Sequence, residues 1–194
     1  MPRFDAILFD AGGIFVLPDP TVLGPLLAYF GGDPSVEARR RAHYRAMAVK
    51  SATGKGEAFW DEYNHAYVAT IGVHAHEVAE AAAVLGSTRT AHLWRWPIPE
   101  SVAALRALHD IGTPVRVVID SHVVGVAKPD PAIFDHALPF FEGIARQRIA
   151  YVGDSVTMDI GGARAAGLHP ILLDPHDDHP GADFERIISL EDLL

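Results

Sequence analysis

Between Leu17 and Trp96 the sequence offers no convincing strand, whereas short apolar runs rich in branched side chains stand on either side of that interval. Ala6–Phe9, Val115–Ile119, Arg148–Val152 and Pro170–Leu173 are rich in Val, Ile and Leu and lack strict polar alternation. Runs of this kind suit strands of a parallel sheet covered on both faces. Helical patterns lie between the later runs. Glu100–Asp110 sets Val102, Leu105 and Leu108 on one face and is stopped by Gly112, and Pro131–Leu138 and Ile160–Ala166 read as two short helices. Strands alternating with helices at this spacing predict an α/β, doubly wound parallel sheet.

The strandless interval reads as all-helical. "DPTVLGPLLAYFGG" opens on Asp19 as N-cap with Pro20 at the first helical position and stops at Gly31-Gly32. "DPSVEARRRAHYRAMAVK" starts the same way at Asp33, "EAFWDEYNHAYVATIG" places Phe59, Tyr63, Ala66 and Tyr67 on one face, and "AHEVAEAAAVLG" follows. The predicted organisation is a split core, residues 1–16 and 97–194, with a helical cap at 17–96. The cap aromatics Phe59, Trp60, Tyr63, Tyr67, Trp94 and Trp96 are expected to pack helices rather than cage a substrate.

Composition narrows the function classes. With 194 residues, 49% of them hydrophobic, the chain can bury a substantial core. It has no cysteine, which removes disulfides, thiolate zinc sites and thiol nucleophiles. A net charge of −9 disfavours a nucleic-acid partner. Asp5 and Asp10 interrupt the N-terminal apolar run, so no signal peptide is expected, and no stretch has the apolar length of a membrane span. The expectation is a cytoplasmic monomer or homodimer acting on a small molecule. The basic run Arg39-Arg40-Arg41, with Arg45 and Lys50, is expected to be a solvated helix face, because consecutive arginines cannot all face one site. The 11 histidines show no zinc-ligand spacing and are expected on loops and surfaces.

Carboxylates at strand ends carry the chemistry. Asp10 ends the first run, Asp154 ends "RIAYVGD", Asp159 follows five residues on, and Lys128 lies in "GVAKPDPAIF". Open parallel sheets place their sites in the crevice beyond the carboxyl ends of the strands. Three carboxylates and one lysine there repel one another without a cation, and hard oxygen ligands suit Mg²⁺. Taken singly, each residue is an ordinary turn former or surface charge; the ordered set is what points to a site.

"LFDAGGIFV", "GVAKPDPAIF" and "YVGDSVTMDIGGARAAG" resemble motifs one, three and four of the haloacid dehalogenase-like (HAD) hydrolase superfamily, and the helical interval resembles its type-one cap. The resemblance implies that Asp10 is a nucleophile that becomes an aspartyl phosphate. It implies that Asp10, the Gly12 carbonyl and Asp154 surround Mg²⁺, with Asp159 as a further ligand or its support. Lys128 would neutralise Asp10 and the transferring oxygens, and the amides of Ala11 and Gly12 would approach the phosphate. The implied activity is Mg²⁺-dependent hydrolysis of a small phosphorylated metabolite.

Two departures qualify that expectation. Gly12 stands where the family's phosphatases carry a second Asp as general acid, and Ile14 stands where Thr is usual. "TPVRVVIDSHVVGVAKPD" supplies one strand where two are expected, so roughly two dozen residues of an ordinary βαβ unit are missing near Val115-Arg116. Ser121, the candidate phosphate-binding hydroxyl, belongs by position after the later strand, and the alternative that it has taken over the second motif stays open. A 2-haloacid dehalogenase, which would not need the Asp154/Asp159 pair, and an impaired HAD fold serving as a binding or regulatory module are the competing readings.

Overall fold

The structure is a computed structural model that describes residues 3–90, 93–110 and 114–194. Its main sheet has four parallel strands in the order β1 (Ala6–Phe9), β4 (Ile149–Gly153), β5 (His169–Leu173) and β6 (Glu185–Ile187). β4 is buried at all five positions, as its uniformly apolar sequence demands of a central strand. One face packs Ile14, Ala104, Ala150, Val152 and Ile171; the other packs Ala6, Phe134, Ile149, Tyr151 and Ala163. The expected α/β class is therefore present.

The helical interval contains α1 (Pro20–Tyr29), α2 (Val36–Ala52), α3 (Asp61–Thr70) and α4 (Val78–Ser87). Asp19 caps α1, its side chain accepting from the Thr21 amide with Pro20 following, as the sequence predicts; α2 is capped by Ser35 rather than Asp33. These helices bury a separate core around Leu23, Leu27, Met47, Tyr63, Tyr67 and Leu85. Of the cap aromatics, Tyr63 and Tyr67 are core, but Phe59 and Trp96 are exposed, Phe59 because it precedes the helix whose face it was expected to share. The interval is not strand-free: β2 (Val16–Pro18) and β3 (Trp94–Pro97) pair antiparallel at its base. Strands of three and four residues containing proline carry no readable periodicity, and closure of the helical insert supplies their pairing.

α5 (Pro99–Asp110) follows, burying Ser101, Ala104 and Leu108; its expected stop, Gly112, lies outside the described residues. The expected strand Val115–Ile119 is absent: β1 ends the sheet, bonded to β4 alone, and residues 114–120 run without strand pairing. Val115 and Val118 are 62% and 85% exposed. A strand needs a partner as well as propensity, and the run has none beside it among the described residues. A short helix α6 (Ser121–Val124) leads to the Lys128 loop. Pro131–His136 and Leu138–Phe141 are 3₁₀ turns rather than one helix, whereas the expected helix Ile160–Ala166 is present as α7 (Gly161–Ala165), preceded by a π turn, Val156–Ile160. No helix among the described residues is long and apolar enough to cross a membrane.

Candidate active site

β1 and β4 are neighbours and parallel, so both chains leave the sheet at the same edge. The Asp10 amide donates to the Val152 carbonyl at 2.8 Å, and the backbone then turns, Phe15 and Val16 returning amides to the Ala11 carbonyl. Asp10, Asp154 and Asp159 converge there, each with a carboxylate oxygen within 4.8 Å of the others'. The Lys128 ammonium lies between them, 2.7 Å from Asp10 Oδ1 and 2.6 Å from Asp159 Oδ1, and donates also to the Tyr151 hydroxyl at 3.0 Å. Four of the residues singled out in the sequence thus meet in one crevice.

Their roles separate by hydrogen bonding. Asp159 is fully buried and spends both oxygens on the protein: Oδ1 on Lys128 and Tyr151, Oδ2 on the amides of Asp154 and Ser155 at 3.0 and 2.9 Å. It holds the loop after β4 in place. Asp10 Oδ2 and Asp154 Oδ1 have no protein donor among the described residues, and the Asp10 side chain is 25% exposed. Burial pushes the Asp10 carboxyl up to about 7; Asp159 and Asp154 act the same way and Lys128 opposes them. Burial works against the Lys128 ammonium, but Asp10 and Asp159 outweigh it and hold its pKa well above the lysine range. Three carboxylates against one ammonium leave an excess of negative charge, and the two undonated oxygens are the donor set a hard divalent cation takes.

His43, which the sequence places among surface histidines, is 1% exposed and belongs to this site. It projects from α2, its Nε2 2.7 Å from Asp154 Oδ2 and its Nδ1 2.8 Å from the Tyr63 hydroxyl. The next residue, Tyr44, donates its hydroxyl to the Gly13 carbonyl at 2.7 Å. Gly13 has φ +71, and a Cβ there would fall 2.0 Å from Asp154 Oδ2 and 2.6 Å from His43 Nε2. The loop's close approach is thus made at Gly13, one residue beyond Gly12. At Gly12 a Cβ would meet the Trp94 ring at 3.3 Å, so an indole fills the space beside that position. His43, Met47 and Lys50 share one α2 face at i, i+4 and i+7; two polar residues on an otherwise apolar stripe are the signal the sequence carried.

The remaining candidates lie apart from these bonds. Ser121 opens α6 behind its N-cap Asp120, half-buried, with its carbonyl accepting from Gly125; no side-chain bond joins it to the carboxylates. Arg41 reaches Asp178 with two bonds of 2.5 and 2.8 Å, and Arg40 pairs with Glu100. These arginines tie the insert to the α/β part rather than facing solvent alone. Lys50 contradicts the solvated-face expectation outright, being 1% exposed. His74 and His76 are exposed, as expected.

A parallel sheet with a carboxylate–lysine crevice at its strand ends, overlaid by a helical insert, defines the class as an α/β fold with its candidate site at the carboxyl ends of the strands. Residues 4–167 match the family model for haloacid dehalogenase-like hydrolases, and the chain belongs to that family. It is 39% identical over 82 residues to the phosphoserine phosphatase of Thermus thermophilus, a match covering 40% of this chain and 32% of that protein. It is 42% identical over 60 residues to the pyrimidine 5'-nucleotidase YjjG of Escherichia coli, covering 31% and 27%. The matched stretches thus span about a third or less of these curated relatives. In fold it is similar to a HAD phosphatase from Thermococcus onnurineus (TM-score 0.55, 21% identity, 100% of this chain and 96% of the other). It is comparably similar to the 2-haloacid dehalogenase of Pseudomonas syringae pv. Tomato DC3000 (TM-score 0.52, 20% identity, 100% and 96%).

Proposed function

We propose that this HAD-like hydrolase is a phosphoric monoester hydrolase in which Asp10 attacks a small phosphorylated substrate, with Mg²⁺ held by Asp10, Asp154 and the Gly12 carbonyl. The observation that carries the reading is the division of labour among the carboxylates: Asp159 is consumed by the scaffold, while Asp10 and Asp154 keep undonated oxygens beside Lys128. Asp159 would serve the scaffold in either enzyme, but a metal-independent dehalogenase would not need the undonated oxygen of Asp154. The sequence relatives named above, a phosphatase and a nucleotidase, lend the reading support.

Asp10 attacks phosphorus with its carboxylate oxygen, the bond from phosphorus to the ester oxygen breaks, and an aspartyl phosphate forms. Water then attacks that phosphorus and returns the carboxylate. Lys128 neutralises Asp10 in the free protein and the equatorial oxygens during transfer. Bound Mg²⁺ would supply further neutralisation of the phosphoryl charge. Asp159 positions Lys128 and the Asp154–Ser155 amides. Ser121 and the amides of Ala11 and Gly12 remain the candidate phosphate donors. Gly12 brings no acid to the leaving group, and Trp94 closes on that position, so esters with good leaving groups are favoured. The test is hydrolysis of aryl and acyl phosphates with and without Mg²⁺, alongside chloride release from 2-chloropropionate. Phosphate release that requires Mg²⁺ and is abolished by Asp10→Asn is expected; chloride release without metal would favour the dehalogenase reading instead.

A further inference from the structure

Lys50 is a buried ammonium that the chemistry above does not use. Its Nζ donates to the Gly56 carbonyl at 2.9 Å and to Met158 Sδ at 3.5 Å, and lies 4.5 Å from the centre of the Trp60 ring. Among the described residues no carboxylate comes within 4.0 Å of it. Its partners are a carbonyl, a thioether and a π face, which solvate an ammonium weakly, and burial lowers its pKa accordingly. A buried charge with no carboxylate in contact is unfavourable unless something pairs with it.

Arg89 repeats the pattern on the same indole. Its guanidinium stands 4.1 Å from the Trp60 ring, it donates to Asn64 Oδ1 at 2.7 Å, and its buried Nε has no partner; it too makes no ion pair among the described residues. Of the anions acting on Lys50, Glu57 has the largest effect, ahead of Asp154 and Asp159, and its own buried Oε2 is unpartnered. The location is the seam between insert and crevice. Gly56, which accepts from Lys50, would touch Pro129 with a Cβ at 3.2 Å, next to Lys128. Met158 adjoins Asp159, and Ser51, the residue after Lys50, bonds Ser155 and the Val156 amide at 3.1 Å each.

We infer that Lys50 and Arg89 form a second anion-recognition site in this seam, and that the substrate carries, besides the transferred phosphoryl group, a second anionic group that this site reads. The inference rests on the proposed phosphatase reading for its first group, but the second site follows from the unpaired cations themselves. A charge-assisted hydrogen bond to a buried cation is worth about 1.5–3 kcal/mol, or roughly 10–100-fold in affinity.

The decisive comparison uses 2-phosphoglycolate, 2-hydroxyethyl phosphate and ethane-1,2-diol bisphosphate, which share a two-carbon frame and differ in the distal group. The parent should favour the two charged substrates by at least about tenfold in KM, and the stronger of them identifies carboxylate or phosphate as the second group. Lys50→Met should bring the charged-to-neutral ratio close to one through KM, Lys50→Arg should restore part of it, and Arg89→Gln should reduce it. Phosphonoacetate and methylphosphonate, titrated calorimetrically, give the same ratio without hydrolysis. If no ester is hydrolysed but phosphonoacetate binding still depends on Lys50, the phosphatase reading fails and the anion site stands. Equal losses on charged and neutral ligands in Lys50→Met, or a lowered Tm with the ratio unchanged, would show a packing lysine and overturn the inference.

Discussion

At Gly12 the side chain that the family's phosphatases use would have to enter space held by Trp94, since even a Cβ meets that ring at 3.3 Å. Gly12→Asp alone should therefore lose stability, as overpacking costs about 1–3 kcal/mol, and gain no turnover. Gly12→Asp with Trp94→Ala gives the carboxyl room, and kcat/KM for alkyl phosphates should rise relative to aryl phosphates; steady-state kinetics on both classes check this. If the double variant shows the parent's ratio, a proton donor other than residue 12 serves the leaving group. Asp10 supplies a second residue-scale expectation. Its carboxyl is raised by burial to about 7, so between the ordinary 3.8 and that value the folded protein binds more protons than the unfolded chain. Stability of the metal-free protein should fall as pH rises through this window, because the charged form is disfavoured in the fold. Mg²⁺ must displace the same proton, so its affinity should rise from about pH 6 to about pH 8 and then level. Urea melts and calorimetric titrations across that range read both slopes.

The elements show what could be seen in the chain beforehand. β1, β4 and β5 were legible because each is a short apolar run whose burial comes from both faces, and Asp10, Asp154, Asp159 and Lys128 were legible because their positions are fixed by those strand ends and their loops. Val115–Ile119 has the same composition and is not a strand, since pairing depends on a neighbour that β-propensity does not encode. β2 and β3 were missed for the converse reason: pairing makes them strands although their sequence has no period. His43 was hidden because a helical histidine has no ligand spacing of its own, and only its place with Met47 and Lys50 on one stripe marks it. The exposed run makes a direct prediction. Val118→Ser should change unfolding free energy by no more than about 0.5 kcal/mol, whereas Ile171→Ala, in the core, should cost about 2–5 kcal/mol. Chemical denaturation of the two variants tests the contrast; a large loss at Val118 would mean that the run is packed as a strand after all.

For the molecule as a whole, α2 is the element that joins the helical insert to the crevice. His43 binds Asp154, Tyr44 binds the Gly13 carbonyl, Ser51 binds the loop after β4, and Arg41 anchors to Asp178. A cation held at Asp10 and Asp154, as proposed, would therefore stabilise contacts on both sides of this joint. Mg²⁺ at a hundred times its Kd should add about 2.7 kcal/mol and raise Tm, and Asp154→Asn should remove most of that increment. The proposed activity depends most directly, however, on Asp10 as the nucleophile. The direct measurement is intact-protein mass spectrometry after rapid acid quench of a reaction with an aryl or acyl phosphate and Mg²⁺. Without an acid–base residue at Gly12 the attack of water on the proposed intermediate should be slow, so the parent should gain the mass of one phosphoryl group, localised by peptide mapping to Asp10. Asp10→Asn should gain none. An adduct that persists in Asp10→Asn, or phosphate release by that variant at the parent's rate, would contradict the account.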